Sequence, residues 1–329
     1  MTPQEQELID YSDKIIDLVF VVDNTGSMSG EINVAKDTIH TLISSLHEHF
    51  QSHIRFSSIS YRDHTDDYCV KQNAFTRDVQ VARQYINEMS AHGGGDYPEA
   101  LASALSVLSE MQFNKRGKKI VVWIADAPPH GMGASGDNYP EGCKDATGQV
   151  IDWIKIADVL REKGVTCYSL VCERSKNDQQ LTLFLDYLAQ KTTGKCMLLT
   201  NANKIPNLII NGCIEDDEMD RLISQKIQEL GEERVKQMKQ EELVQHIHST
   251  TQNAQVRQVQ AYQINSTNTA QLMGFGSVAQ VSKDVYQNGA NVVSNFGAAT
   301  TTASNFGGFS FGAPSTAQVT KACQRFNFK

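Results

Sequence analysis

The chain is predicted to fold as a doubly wound α/β domain, a mostly parallel sheet with helices on both faces, followed by a charged helix and a low-complexity tail. Three observations predict it. Apolar runs of strand length alternate with amphipathic runs of helix length, the pattern of βα units. Two of the strand runs, "IIDLVFVVD" and "KKIVVWIAD", are apolar without interruption at their centres, which leaves no wet face and marks strands buried on both sides. Both end in an aspartate and a turn, where an open α/β sheet keeps its functional crevice.

The elements follow in order. "IIDLVFVVD" is a central strand, and residues 29–50 form a helix with Ile32, Ala35, Ile39, Leu42, Ile43 and Leu46 on one stripe. "HIRFSSISYRD" alternates with a period of two, and "YCVKQNAFT" is its hairpin or edge partner. Helices are expected over 78–90 and 97–112. "KKIVVWIADAPPHG" is a second central strand that Pro128 and Pro129 forbid to continue. A Gly/Asp/Pro-rich loop spans 127–145, and a helix near 147–163 ends at Gly164. "VTCYSLVCE", "DQQLTLFLDYLAQKTTG", "KCMLLT" and "NKIPNLIINGCI" read as strand, helix, short strand and last short helix.

This divides the chain into an extension over 1–13, a folded domain over 14–214, a charged segment over 215–248 and a tail over 249–329. The charged segment places Met219, Leu222, Ile223, Ile227, Leu230, Val235, Met238, Leu243, Val244 and Ile247 at roughly helical spacing, interrupted by Gly231. It is either a helix packing back on the domain or a short coiled coil that dimerises or docks a partner. The tail is rich in Gln, Asn, Thr, Ser, Ala and Gly, so disorder, or order only on binding, is expected there.

Composition narrows the function classes. From Thr250 onward five basic residues face one acid, so the net charge of −8 divides into +4 for the tail and −12 for the body. An acidic body argues against nucleic acid as a partner. The opening "MTPQEQELIDYSDK" has neither a basic nor an apolar signal region, and no apolar stretch is long enough to span a bilayer, so neither secretion nor membrane insertion is expected. Seven cysteines without a CxxC pair suit reduced thiols and a cytoplasmic, or else nuclear, address.

Three oxygen-rich loops fall at the carboxyl ends of the strands: Asp23–Ser29, Gly93–Glu99 and Asp126. Hard divalent cations take oxygen ligands, and Asp23, Thr25 and Ser27 alternate so that they project the same way, with Gly26 permitting the bend. "DNTGSMS" resembles the metal-ion-dependent adhesion site of von Willebrand factor A (vWA) domains, written D-x-[ST]-x-S. "GGGD" and "IAD" stand where that family places its second and third loops. The resemblance covers residues 14–214 and implies Asp23, Thr25, Ser27 and Asp126 as ligands of Mg²⁺ or Mn²⁺. A closer likeness, through "DLVFVVDNTGSM", "YRDH", "GGGDYPEA" and "IADAPPHG", is to the vWA domains linked to alpha-kinases, although no kinase domain follows.

Asp96 departs from the wider family, which often has threonine there. It is read as a metal ligand, with an N-cap of the following helix as its alternative. As a third carboxylate beside Asp23 and Asp126 it would leave a local charge of −1 around a dication, a firmer ion site and a poorer acceptor for a partner's carboxylate. Arg62, Asp63 and His64 either hold their loop by a salt bridge or tune the metal shell. His92 and His130 are not read as ligands, because hydroxyl and carboxylate company suits Mg²⁺ better than zinc. Cys167 and Cys172 are core.

The leading expectation is a non-catalytic protein–protein interaction or scaffold module whose metal-capped face binds a protein partner, in a regulatory role or a larger assembly, with a homodimer through 215–248 as a further option. The alternatives are an alpha-kinase-associated regulatory subunit and a metal-dependent hydrolase or phosphatase in the same crevice, with His130 as its base.

Overall fold

Eight consecutive residues, Ile16–Asp23 (β1), are buried without exception, so this segment can only be a strand with a layer on each face. The computed structural model describes residues 15–254, 256–259, 263–265, 300–302 and 309–326. β1 is followed by Ile32–Phe50 (α1), Ile54–Tyr61 (β2), Val70–Gln72 (β3), Val79–Asn87 (α2), Leu101–Glu110 (α3) and Lys118–Ala125 (β4). Trp153–Glu162 (α4), Val165–Val171 (β5), Gln179–Lys191 (α5) and Lys195–Leu198 (β6) complete the sheet layers.

The six strands lie in the order β3-β2-β1-β4-β5-β6, all parallel except the edge strand β3. The chain leaves β1 toward β2 and returns on its other side at β4. That reversal opens a crevice above the carboxyl ends of β1 and β4.

The period of two decides the layers. Ile16, Leu18, Phe20 and Val22 of β1 face the α1 stripe, together with Ala82 and Ile86 of α2. All six predicted α1 positions are buried there. Val19 and Val21 face α3, α4 and α5, where Trp153 packs edge-on against Phe184 and Tyr187. Gly164, at φ +71°, ends α4 as its position predicts.

The last helix of the domain does not stop near 214. Ile205–Leu230 (α6) runs 26 residues through that expected boundary. Its first half buries Ile205, Leu208, Ile209 and Cys213 against the sheet layer, and its second half buries Met219, Ile223 and Ile227 elsewhere. Gly231, at φ +81°, ends it; Glu232–Gln237 (α7) and Gln240–Thr250 (α8) follow. Short antiparallel pairs join Val256–Val259 (β7) to Phe309–Gly312 (β10) and Gln263–Asn265 (β8) to Thr300–Thr302 (β9).

Thr316–Phe326 (α9), inside the segment expected to be disordered or ordered on binding, closes a third core. Its Val319, Ala322 and Cys323 are buried with Met219, Ile223 and Ile227 of α6 and Leu243, Val244 and Ile247 of α8. The apolar residues of 215–248 thus pack within the chain, and Lys321 pairs with Asp216 at 3.0 Å. Low mean hydropathy hid this helix, because only three small apolar side chains at helical spacing carry the contact. The extension 1–13 and residues 266–299 of the tail lie outside the described residues.

Val319→Asp puts a carboxylate into this third core and should weaken α9 docking by about 3 kcal/mol. Limited proteolysis read by mass spectrometry should then show faster cleavage ahead of residue 316, with the resistance of the sheet domain unchanged. Equal cleavage of both proteins would mean that α9 is held by other contacts.

Candidate metal centre

Asp23 is the last residue of β1 and is completely buried. Its Oδ1 accepts hydrogen bonds from the Thr25 backbone N–H (2.9 Å) and hydroxyl (2.6 Å). Thr25 Oγ1 lies 2.8 Å from Ser27 Oγ, which donates to Asp126 Oδ1 at 2.9 Å. Four of the five predicted ligands therefore form one hydrogen-bonded chain from the end of β1 to the end of β4. Neither the turn Gly26–Gly30 nor α1 takes a side-chain cap, so these oxygens are not spent on helix ends.

The second loop passes very close to the first. Gly26 N–H donates to the Gly93 carbonyl at 3.0 Å, and a Cβ on Gly26 would meet that oxygen at 2.8 Å. Gly93 and Gly94 then adopt φ values of +78° and +90°, which favour glycine. Asp96 turns away from Asp23: its Oδ2 accepts from Asn138 N–H at 2.7 Å and lies 3.9 Å from His130 Nδ1. Nor does it cap α3, which begins at Leu101 with Ala100 as N-cap and no side-chain hydrogen bond.

The carboxylate that the second loop delivers toward Thr25 is Glu99, only 2% exposed. A methyl on Gly94 would lie 3.1 Å from Glu99 Oε1 and 3.5 Å from Thr25 Cβ. Glu99 N–H donates to the Pro128 carbonyl at 2.9 Å, which ties this residue to the third loop as well. Sequence reasoning missed Glu99 because it stood three residues beyond the motif, inside an apparent first helical turn. The available signal was an acid heading "ALASAL", a run whose every residue proves buried.

Burial, then the nearby Asp126 charge, pushes Asp23 up to about 7. The Thr25 hydroxyl and N–H and the buried Tyr61 hydroxyl oppose that rise. Burial, then Asp23, Asp63 and Asp126, pushes Glu99 up to about 10. Asp126 is also raised, by burial, against the pull of Arg174, whose guanidinium pairs with its Oδ2. Among the described residues, the buried Asp23 Oδ2 and Glu99 Oε2 have no hydrogen-bond partner. An unsatisfied buried carboxylate oxygen is costly, and a cation removes that cost. Carboxylates with two hydroxyls fit a hard divalent ion such as Mg²⁺ or Mn²⁺, with Asp23, Thr25, Ser27, Glu99 and Asp126 as the residues that would hold it.

A second cluster lies beside the first. Single ligand atoms of Asp63, Asp96 and His130 lie within 4.8 Å of one another. His130, excluded as a ligand on sequence grounds, is fully buried, with Nε2 3.0 Å from Asp63 Oδ1 and Nδ1 2.7 Å from Asp137 Oδ1. Burial pushes its pKa down, but the hydrogen bonds to Asp137 and Asp63 outweigh it and raise it to about 9. Arg62 holds its loop, pairing with Asp67 at 2.5 Å and donating to the Ser90 carbonyl at 3.1 Å. His92 is exposed, and Cys167 and Cys172 are core.

Residues 17–131 match a family described as the von Willebrand factor A domain. An ariadne-like RING finger protein of Acanthamoeba polyphaga mimivirus is 28% identical over 202 residues, 58% of this chain and 19% of that protein. An alpha-protein kinase of Dictyostelium discoideum, vwkA, is 32% identical over 155 residues, 45% of this chain and 23% of the kinase. The match therefore spans about a fifth of the length of each relative. Among solved structures, the pilus adhesin SpaC of Lactobacillus rhamnosus GG in its open conformation is similar with a TM-score of 0.45 and 13% identity, over 61% of this chain and 30% of that one. A von Willebrand factor type A protein from Catenulispora acidiphila gives 0.41 and 11%, over 58% and 41%.

Two outcomes are expected of this site. Glu99→Gln should weaken Mg²⁺ binding in titration calorimetry at least about tenfold, close to 1.4 kcal/mol, and Asp96→Asn much less; an equal loss in both would return Asp96 to the ion. The folded chain holds protons on Asp23 and Glu99 that the unfolded chain has lost above about pH 4, and holds the His130 proton after the unfolded chain loses it above about 6.5. These groups therefore favour folding at lower pH and lose that contribution as pH rises through about 7, 9 and 10. The melting temperature in chelator should fall from pH 5 to 9, and the Mg²⁺-induced rise should be larger at pH 8 than at pH 5.5.

Proposed function

Because the chain carries a von Willebrand factor A domain, we propose that it is a non-catalytic protein-binding module that uses a divalent ion at the crevice above β1 and β4 to order its binding face. The observation that carries this reading is the pair of orphaned, buried oxygens, Asp23 Oδ2 and Glu99 Oε2, beneath a rim of exposed side chains. Tyr97 is 48% exposed, with its hydroxyl bonded to Asp178, and the Arg174 side chain is 44% exposed above Asp126. An aromatic ring and a guanidinium are the side chains that most often anchor protein interfaces. The ion neutralises the loops below them and fixes their positions; the rim supplies the contact.

The partner is a protein, and the role is regulatory or scaffolding. The likeness to the alpha-protein kinase supports a kinase-associated role for a module of this kind, without carrying that protein's activity over to this chain. No helix among the described residues is long and apolar enough to cross a membrane; a cytoplasmic or nuclear address is part of the proposal. A hydrolase in the same crevice has less support: its only evident base, His130, is fully buried, with both ring nitrogens engaged by carboxylates.

An ion that binds only the folded chain must raise its melting point by mass action. Mg²⁺ or Mn²⁺ should raise the melting temperature of the chelator-treated chain, and Asp23→Ala should abolish the rise. Proteins retained by the immobilised chain in Mg²⁺ should be lost both in chelator and with Tyr97→Ala. Retention indifferent to ion and to Tyr97 would place the binding surface elsewhere.

A further inference from the structure

The Asp63, Asp96 and His130 cluster is built from three separate loops, after β2, within the glycine turn and after β4, and does not share the hydroxyls of the first site. One ring nitrogen of its imidazole is held by a carboxylate, as in a metal-bound histidine, and the other faces Asp63, while Asp96 Oδ2 lies 3.9 Å from the held nitrogen, Nδ1. Asp137 supplies that orienting contact at 2.7 Å and is itself fixed by the N–H groups of Gly131 and Tyr139, both at 2.8 Å. The opposite nitrogen, Nε2, faces Asp63 Oδ1 at 3.0 Å, a usual separation for two ligands on one ion.

A second observation is independent of that geometry. The Asp96 side chain is only 8% exposed, and among the described residues its buried Oδ1 has no hydrogen-bond donor, although the Asp63 carboxyl lies close enough to interact with this side chain. Among the described residues, acids outnumber cations around the two clusters. Asp23, Asp63, Asp96, Glu99, Asp126 and Asp137 all have largely buried side chains, and beside them the guanidinium of Arg174 and the imidazole of His130 are the cationic groups in contact. One dication at the first site leaves Asp96, 3.9 Å from the His130 ring, as the carboxylate of this half with the least compensation among the described residues.

We propose that Asp63, Asp96 and His130 form a second cation site, separate from the hydroxyl-lined one, that takes a borderline divalent transition ion such as Zn²⁺, with Asp137 as the positioning residue of the imidazole. One nitrogen and two carboxylate ligands suit Zn²⁺, Mn²⁺ or Fe²⁺, whereas the all-oxygen set beside it suits Mg²⁺. A Cβ on Gly95, between the two sites, would lie 2.8 Å from both Asp63 Oδ2 and Thr65 Oγ1, so the loop separating them leaves no room for a side chain. An ion here would lock the second loop to the third independently of the first site.

The test uses the full chain, stripped with chelator and dialysed against Zn²⁺ with Mg²⁺ in excess, with retained metal measured by elemental analysis. One equivalent of Zn²⁺ should remain. Asp63→Asn and His130→Gln should weaken its binding about tenfold or more, while Asp23→Ala should change it by no more than about twofold. Zn²⁺ that disappears with Asp23→Ala yet survives His130→Gln would assign the ion to the first site and overturn the proposal. Because removing a buried imidazole can unfold its loops, Co²⁺ titration of the wild-type chain over Mg²⁺ gives a readout without a variant. A saturable change in the visible bands at one equivalent supports the site, and its absence refutes it.

Discussion

The arrangement at the top of the sheet depends on one constraint: carboxylates carried on rigid strand ends are forced together out of water. β1 and β4 are adjacent and parallel, so Asp23 and the Asp126 that follows β4 emerge side by side, and the backbone register leaves them no way to separate. Each is buried, each raises the other's proton affinity or is raised by burial, and the hydroxyls of Thr25 and Ser27 bridge them. Such an array is tolerable only with protons or a cation in place. Much of the surrounding detail follows from that requirement, including the Arg174 guanidinium resting on Asp126.

The glycines of the second loop answer a related demand. To bring Glu99 close to Thr25, the backbone must pass against the Gly26 turn, where hydrogen bonds link Gly26 N–H to the Gly93 carbonyl and His92 N–H to the Asn24 carbonyl. Positive φ at Gly93 and Gly94 then lets the chain turn so that Asp96 and Glu99 diverge. One goes to His130 and Asn138, the other to the hydroxyl-lined site. A single short loop thereby serves two acidic clusters, and the buried charge of each is felt by the other through Asp63 and Glu99.

The helical region beyond the sheet follows a simpler logic. The second half of α6 projects past the sheet, so its apolar stripe has no layer to cover it, and α8 and α9 supply one. The residues that α9 contributes are small, and Lys321 of α9 pairs with Asp216 of α6 beside them. That pair joins the two helices at one point, whereas the buried apolar side chains form a continuous core. The apolar contact therefore dominates the docking of a helix drawn from the far end of the chain.

What local sequence determined is what depends on neighbours a few residues apart. Uninterrupted apolar runs located β1 and β4, a period of two located β2, and a period of 3.6 located the stripe of α1; the doubled proline stopped β4, and D-x-T-x-S spaced three ligands on one turn. These properties are written in consecutive residues because backbone geometry repeats locally. Tertiary structure alone decided which acid of "GGGDYPEA" faces the hydroxyls, since that depends on the φ angles of two glycines and on the hydrogen bond from Glu99 to Pro128 in a different loop. It alone brought His130 to Asp63 across 67 residues and α9 to α6 across roughly a hundred. Contacts between distant segments are selected by packing and by compensation of buried charge, and no periodicity within either segment records them.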